Sequence, residues 1–281
     1  MKKISLITPL KDEIDNIPAL LKAIESQRVP IKNWVIVENG STDGSKECLD
    51  KISAIRNVEN LKIINFSLPN EKYELGVKYA TIVNIGLEHL FQRKNIEESD
   101  YIGILDADCI PPSNYYEDLI EFMERDERLG ISSGQAHYLD GKHDGKNVKW
   151  PRGNCRLWKK DCLLSAGYIV GPSADALSVC KAELIGWKCY ANKDLVYVCR
   201  EVGKKVDYSY YGYSAYYRGV PVLFAFLKTI NYFKIGRFSN GFSYLKGYLS
   251  SFFWNKDKVN EPDILKHNAK ILRRKISEKI F

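Results

Sequence analysis

The chain reads as an α/β protein: a doubly wound, mostly parallel sheet flanked by helices, with a helical extension rich in aromatic residues towards its carboxyl end. Apolar runs of strand length alternate with stretches of helical period through the amino-terminal half, the pattern of βαβ units with right-handed crossovers. Acidic and polar clusters stand directly after those runs. Residues 208–254 hold 17 of the chain's 34 aromatic side chains and five Lys or Arg, with no Asp or Glu.

The first strand is expected at residues 4–8. A helix over 16–27 follows, with Ile17, Leu20, Leu21 and Ile24 recurring at i, i+3, i+4 and i+7. Asp15 or Asn16 is placed to cap it, and Pro18 suits its first turn. A second strand at 34–37 leads through Glu38-Asn39-Gly40-Ser41-Thr42-Asp43-Gly44 into a helix over 45–54. The third strand is expected at 61–66 and the third helix at 78–91. A fourth strand at 101–105 runs into Asp106-Ala107-Asp108. In the helix after it Tyr116, Leu119, Ile120 and Met123 share a face, and Asn114 and Glu117 have the spacing of a capping box.

Sheets of this kind bind ligands in the crevice outside the carboxyl ends of their strands. Residues 8–13, 38–43 and 106–108 are expected to meet on that rim. On extended chain Asp106 and Asp108 point to one side, and Ala107 leaves room for a ligand. Mg²⁺ and Mn²⁺ prefer oxygen ligands, commonly one or two carboxylates plus the phosphates of a substrate. A seat for a metal and a diphosphate is therefore expected there. Taken singly, each cluster has a plainer reading as turn formers or helix caps. The first turn lacks Gly-x-Gly-x-x-Gly and no P-loop motif occurs, so neither a dinucleotide cofactor nor a P-loop is expected.

With 281 residues the chain can bury a full core, as one large domain or a domain with an appendage. Its 45% hydrophobic and 27% charged content excludes wholesale disorder. A formal charge of +7 favours anionic ligands or surfaces, and no nucleic-acid motif is present, so no nucleic acid partner is expected. Seven scattered cysteines without a Cys-x-x-Cys pair read as reduced residues of a cytoplasmic protein. The amino terminus has no h-region of a secretion signal, and the longest strictly apolar stretch, 220–227, is far below the roughly 20 residues of a membrane span.

In order and spacing, Ile-Thr-Pro-Leu-Lys-Asp-Glu at 7–13, Val-Ile-Val-Glu-Asn-Gly-Ser-Thr-Asp-Gly-Ser at 35–45 and Ile-Leu-Asp-Ala-Asp at 104–108 resemble the family 2 glycosyltransferases. The resemblance covers about residues 1–205. It implies a GT-A fold with a nucleotide-binding half at 1–110 and an acceptor half at 111–205, leaving 206–281 as the extension. It also implies a UDP-, GDP- or dTDP-sugar donor, Mn²⁺ or Mg²⁺, and inversion at the anomeric carbon. Thr8, Pro9, Leu10 and Glu13 then line the nucleoside pocket, with Lys11 where the family has an aromatic. Glu38, Asn39 and Gly40 stand where it has two aspartates and a glycine. Asp106 and Ala107 contact the donor, Asp106 and Asp108 hold the metal, and Lys78 falls in a donor-loop segment. Gly153-Asn154-Cys155-Arg156-Leu157 and Gly167-Tyr168 resemble the acceptor-side entry. Asp175 takes the place of the catalytic base, in the first turn of a helix that Ser173 would cap, although Ala174 replaces the family's preceding glutamate.

For the extension, amphipathic aromatics and cations suit the boundary of an anionic membrane, and a lipid-linked sugar or another glycan as acceptor. A packed subdomain core, a homodimer face and an aromatic floor for carbohydrate remain alternatives. Arg218 has the forked donors for a diphosphate or lipid phosphate, residues 263–280 read as an amphipathic basic helix, and His267 is a lone candidate metal ligand. A sheet that binds nucleotide sugar or glycan without turnover also remains open. A sugar-phosphate nucleotidyltransferase is disfavoured, since residues 6–16 contain no glycine.

Overall fold

The computed structural model describes residues 2–67, 76–92, 97–139, 141, 149–200 and 207–273, and the expected alternation is present in it. β1 (Ile4–Leu10), α1 (Ile17–Glu25), β2 (Ile31–Glu38), α2 (Ser45–Leu49), β3 (Val58–Asn65), α3 (Val77–Gln92), β4 (Tyr101–Leu105) and α4 (Tyr115–Glu124) follow one another. β1 pairs in parallel with β2 on one side and β4 on the other, and β2 pairs in parallel with β3. The order β3-β2-β1-β4 reverses the direction of winding between β1 and β4. Such a reversal opens a crevice at the carboxyl ends of the two strands, and the acidic segments after β1 and β4 flank it.

The chain continues through β5 (Leu129–Ser133), β6 (Gln135–Tyr138), β7 (Cys155–Lys159), α5 (Lys160–Ala166), α6 (Ala174–Leu184), β8 (Lys188–Cys189) and β9 (Val196–Cys199). β7 runs antiparallel between β4 and β5. Its approach lays residue 154 over the end of β4, where the Asp106 N–H donates to the Asn154 carbonyl at 2.8 Å. β6 and β9 form a separate parallel pair.

Side chains alternate across β1 as a strand requires. Ile4, Leu6 and Leu10 join one core with Leu20, Trp34 and Tyr115. Ile7 joins the other, with Val83, Ile104 and Val179. Each fully buried aliphatic contributes about 1.5–3 kcal/mol.

Local details differ from expectation. α2 stops at Leu49, and Ile55 enters the core from the connecting chain. Asn16 and Asn114 hold N-cap positions with ψ of −24° and 0°, outside the extended conformation that lets a side chain reach the next N–H groups. Their amides turn elsewhere: Asn16 donates to Glu13 Oε2 and Asn114 to Asp118 Oδ2, each at 2.5 Å. Glu117 closes no capping box and pairs with Arg28 at 3.2 Å.

The extension folds as α7 (Tyr208–Tyr217), α8 (Val222–Lys234), α9 (Phe238–Phe253) and α10 (Pro262–Ala269). Ala215, Tyr216, Val220, Ala225, Tyr244 and Tyr248 form a small core of its own. α10 packs on α6, with Ile264 against Leu177 and Cys180. The part of the expected basic helix beyond residue 273 and the expected domain boundary at 205/206 lie outside the described residues. Among the described residues no helix is long and apolar enough to cross a membrane, and all seven cysteines are free thiols.

α7 and α9 meet backbone to backbone. A Cβ on Gly212 would lie 1.9 Å from the Tyr244 carbonyl oxygen, and one on Gly247 would lie 1.9 Å from that of Ser209. Neither backbone has a flexible end that moves aside. Gly212→Ala and Gly247→Ala are each expected to destabilise the chain by about 1–3 kcal/mol, the cost of overpacking, seen as a lower urea midpoint.

Candidate active site

The loops after β1 and β2 are clasped together. Asp12 donates its N–H to Ser41 Oγ (2.9 Å) and accepts from the Thr42 N–H (2.7 Å). The Glu13 N–H reaches Ser45 Oγ and the Ile14 N–H reaches Asp43 Oδ2, both at 2.9 Å. Glu38 is only 2% exposed, and its carboxylate accepts from the Ser41 N–H at 2.5 Å. Here the plainer reading of the 38–44 cluster describes what these side chains do, as braces that fix the rim. Asn39 and Gly40 remain at the surface of the loop, half-buried.

The crevice between β1 and β4 is spanned by one cation. Arg200, next after β9, donates Nε to Asp108 Oδ2 at 3.1 Å and pairs through Nη2 with Glu13. Its position follows from a bridge between Ile110 and Val198, with the Ile110 N–H donating to the Val198 carbonyl at 2.7 Å. Burial pushes the Glu13 carboxyl above its usual value, against the hydrogen bond from Asn16 and the charge of Arg200.

Asp106 accepts a hydrogen bond from the Tyr79 hydroxyl, at the start of α3, at 2.7 Å. Burial first, and then the negative charge of Asp108, hold its carboxyl well above the usual range. The folded protein therefore holds this proton more tightly than the unfolded chain. Its contribution to stability is complete below the ordinary value of 3.8 and is lost as pH rises through the raised value. Asp106→Asn keeps an acceptor for Tyr79 and removes that loss. In metal-free protein the variant is expected to show a higher urea midpoint than wild type at mildly alkaline pH, with the gap closing towards pH 4.

Asp175 lies in the first turn of α6 with its side chain 44% exposed. Beneath it is Arg156 of β7, fully buried, with Nη2 at 3.6 Å from Asp175 Oδ1. The rest of that guanidinium is held by the Arg152 carbonyl (2.7 Å) and by stacking over Trp158 at 5.0 Å. On another side is Gly153, where a Cβ would lie 2.2 Å from Asp175 Oδ2. Glycine admits the carboxylate. Burial, and after it the charges of Asp106 and Asp175, raise the phenols of Tyr79 and Tyr168. Ser173 takes the N-cap position with φ of 61° and makes no side-chain cap. Its hydroxyl pairs with Ser214 of α7, and its N–H donates to the Tyr210 hydroxyl at 3.3 Å.

The other expected residues are placed as follows. Thr8 is buried, its hydroxyl accepting from Trp34 Nε1 at 2.9 Å, and Leu10 is a core residue. Both offer a ligand their backbone only, whereas Pro9 on the alternate face is half-buried. Ala107 is buried between the two acids. Lys78 sits half-buried beside Tyr79. Arg218 ends α7, its Nε donating to the Ser214 carbonyl at 3.2 Å, and no described contact joins it to the acidic rim. His267 lines a cavity with Lys181 and Leu184, at the opposite end of α6 from Asp175. The rim gains two residues that sequence reasoning gave no role, Tyr79 and Arg200, while Arg156, expected only as part of the acceptor-side entry, holds Asp175.

Among the described residues no three His, Cys, Asp or Glu side chains enclose a cation. Two carboxylates at a crevice suit Mg²⁺ or Mn²⁺, whose remaining ligands are commonly phosphate oxygens and water. Arg200, lodged between Glu13 and Asp108, shows that this spot accommodates positive charge.

Comparison with known proteins agrees with this architecture. S. aureus TarS 1-349 in complex with UDP-GlcNAc is similar over 95% of this chain and 79% of that one, with 15% identity and a TM-score of 0.58. The mannosyltransferase PcManGT from Pyrobaculum calidifontis, in complex with GDP-Man and Mn²⁺, is similar over 99% of this chain and 80% of that one, with 16% identity and a TM-score of 0.52. At such identities the likeness is one of fold. Glycosyltransferase AglE of Haloferax volcanii is 31% identical over 116 residues, which is 41% of this chain, and the match spans 33% of that relative's length. The family model for glycosyl transferase family 2 matches residues 5–185, the stretch that builds the β1/β4 crevice and carries Asp175 on α6, and the chain belongs to that family.

Proposed function

We propose that the chain transfers a sugar from a nucleoside-diphosphate sugar to an acceptor hydroxyl, by single displacement with inversion at the anomeric carbon. The observation that carries this reading is that consecutive residues join the two acids beside the β1/β4 crevice: Gly153 lies against the Asp175 carboxylate, and the Asn154 carbonyl accepts from the Asp106 N–H at 2.8 Å. A base and a diphosphate seat side by side are what such a displacement needs.

Asp175 takes the proton of the acceptor hydroxyl as that oxygen attacks. Arg156 and Gly153 hold its carboxylate in place, and a fixed base gains from orientation. Glu13, Asn39, Gly40, Pro9 and the backbone of Thr8 and Leu10 border the nucleoside, while Lys78 and Ala107 border the donor phosphates. Asp106 and Asp108 would hold Mn²⁺ or Mg²⁺, which supplies positive charge to the departing nucleoside diphosphate when bound. The donor is a UDP-, GDP- or dTDP-sugar. TarS and PcManGT, with UDP-GlcNAc in one and GDP-Man and Mn²⁺ in the other, support that donor class and a divalent ion. The acceptor is a glycan or a lipid-linked sugar. Free thiols support a reducing compartment, and we place the enzyme in the cytoplasm, at the inner face of the membrane.

Nucleotide release from a panel of these donors, with Mn²⁺ or Mg²⁺ and after chelation, tests the proposal. Turnover of a donor that stops on chelation is expected. Release from no donor with either ion contradicts it.

A further inference from the structure

An amphipathic helix of a globular protein normally turns its apolar face inward. α8 does the reverse. Of its thirteen residues only Ala225 and Thr229 are buried. Leu223, Phe226, Leu227 and Ile230 are 58%, 42%, 47% and 48% exposed, and their spacing puts them on one side of the helix, away from Ala225 and Thr229. The apolar surface continues onto α9. Phe233 of α8 lies 5.6 Å from Phe238 and 4.9 Å from Phe242, centroid to centroid, and those two rings are 58% and 63% exposed.

Charge decides what covers this face. Lys234 is one turn beyond Ile230 on the same side, Arg237 follows in the α8–α9 turn, and both are exposed. No Asp or Glu occurs from 208 to 254. Contiguous apolar surface on helices whose own charges are all cationic is complementary to acyl chains beneath anionic headgroups. Thirteen residues of helix reach about 20 Å, short of a bilayer's hydrocarbon thickness, so α8 lies in the plane of the interface.

We propose that α8, with the start of α9, docks the protein on an anionic membrane surface. The same helical unit abuts the base: α7 touches α6 through the Ser173 N–H and the Tyr210 hydroxyl at 3.3 Å. Docking therefore tethers the unit that carries Asp175 to the membrane, where a lipid-linked acceptor presents its hydroxyl. That identification of the acceptor rests on the proposed transfer reaction, whereas docking itself does not.

The test is co-sedimentation with vesicles of phosphatidylcholine alone and of phosphatidylcholine mixed with phosphatidylglycerol. Wild type is expected to pellet with the mixed vesicles and to be released in part by salt. Phe226→Ser with Ile230→Ser is expected to lower partition about tenfold or more, and Lys234→Ala and Arg237→Ala about fivefold each. All four side chains are exposed, so an unchanged thermal melt and unchanged nucleotide release show that these variants fold. Pelleting with neither vesicle overturns the proposal. So does pelleting that the variants leave unchanged, or a wild-type dimer that the Phe226→Ser, Ile230→Ser variant converts to monomer while neither protein binds vesicles. Vesicle binding without turnover of any donor keeps the docking and overturns the transfer reaction, whereas turnover without vesicle binding does the opposite.

Discussion

Asp175→Asn is expected to bind donor with wild-type affinity and to lose transfer by about 10²–10⁴-fold, the usual worth of a positioned general base. The amide has the shape of the carboxylate, so it still fits against Gly153 and still offers an oxygen to Arg156 at the position now 3.6 Å from Nη2. What it lacks is a basic lone pair for the acceptor proton. The loss should fall on kcat, with KM for the donor little changed, because the interaction removed is made only as the proton moves. Rates of nucleotide release beside donor affinity by calorimetry check it. Turnover at the wild-type rate would remove Asp175 from the mechanism.

Asp108→Ala is expected to lower kcat/KM by about 10²-fold or more and to flatten the response to Mn²⁺ or Mg²⁺. Several kcal/mol of charge stabilisation on a leaving group corresponds to that many decades. Two further consequences follow from the contacts of Asp108. Arg200 loses the acceptor of its Nε and keeps only Glu13. Asp106 loses the neighbouring charge that, after burial, holds its carboxyl high, so its value should move down towards the usual range. Metal titrations of nucleotide release, wild type against variant, measure the first effect. A variant as active and as metal-dependent as wild type would contradict the assignment.

Much of the amino-terminal fold was legible because its signals are local. Apolar runs of strand length and period-3.6 patterns mark β1 to α4, and polar segments after β1, β2 and β4 necessarily share one edge of a parallel sheet. The alternation of side chains along a strand fixes which groups of β1 can face a ligand. Leu6, Thr8 and Leu10 point to one face, so Thr8 and Leu10 turn into the core and Pro9 does not. The burial of Glu38 against the Ser41 N–H was not legible, because a buried acid that braces a turn and an exposed one are the same letter. Tyr79 and Arg156 act through contacts across the fold, on α3 and on an antiparallel strand whose neighbours no local pattern specifies. Arg200 left a faint signal, since it closes an apolar run at 195–199 as Asp106 closes the run at 101–105. The tail's composition was plain in the sequence. Which of its aromatics face outward was not, because Tyr216, Tyr244 and Tyr248 are buried where α7 meets α9, while Phe226 of α8 and Phe238 and Phe242 of α9 stay exposed.

The central claim is that the β1/β4 crevice grips a metal and a diphosphate with Asp175 standing beside them. A crystal structure with Mn²⁺ and a nucleoside diphosphate, with the metal located by its anomalous signal, addresses it most directly. The expected peak lies at the Asp108 carboxylate, with Arg200 displaced from it and the phosphates between β1 and β4. A peak on another face of the molecule, or a nucleotide bound away from the 106–108 segment, would contradict it.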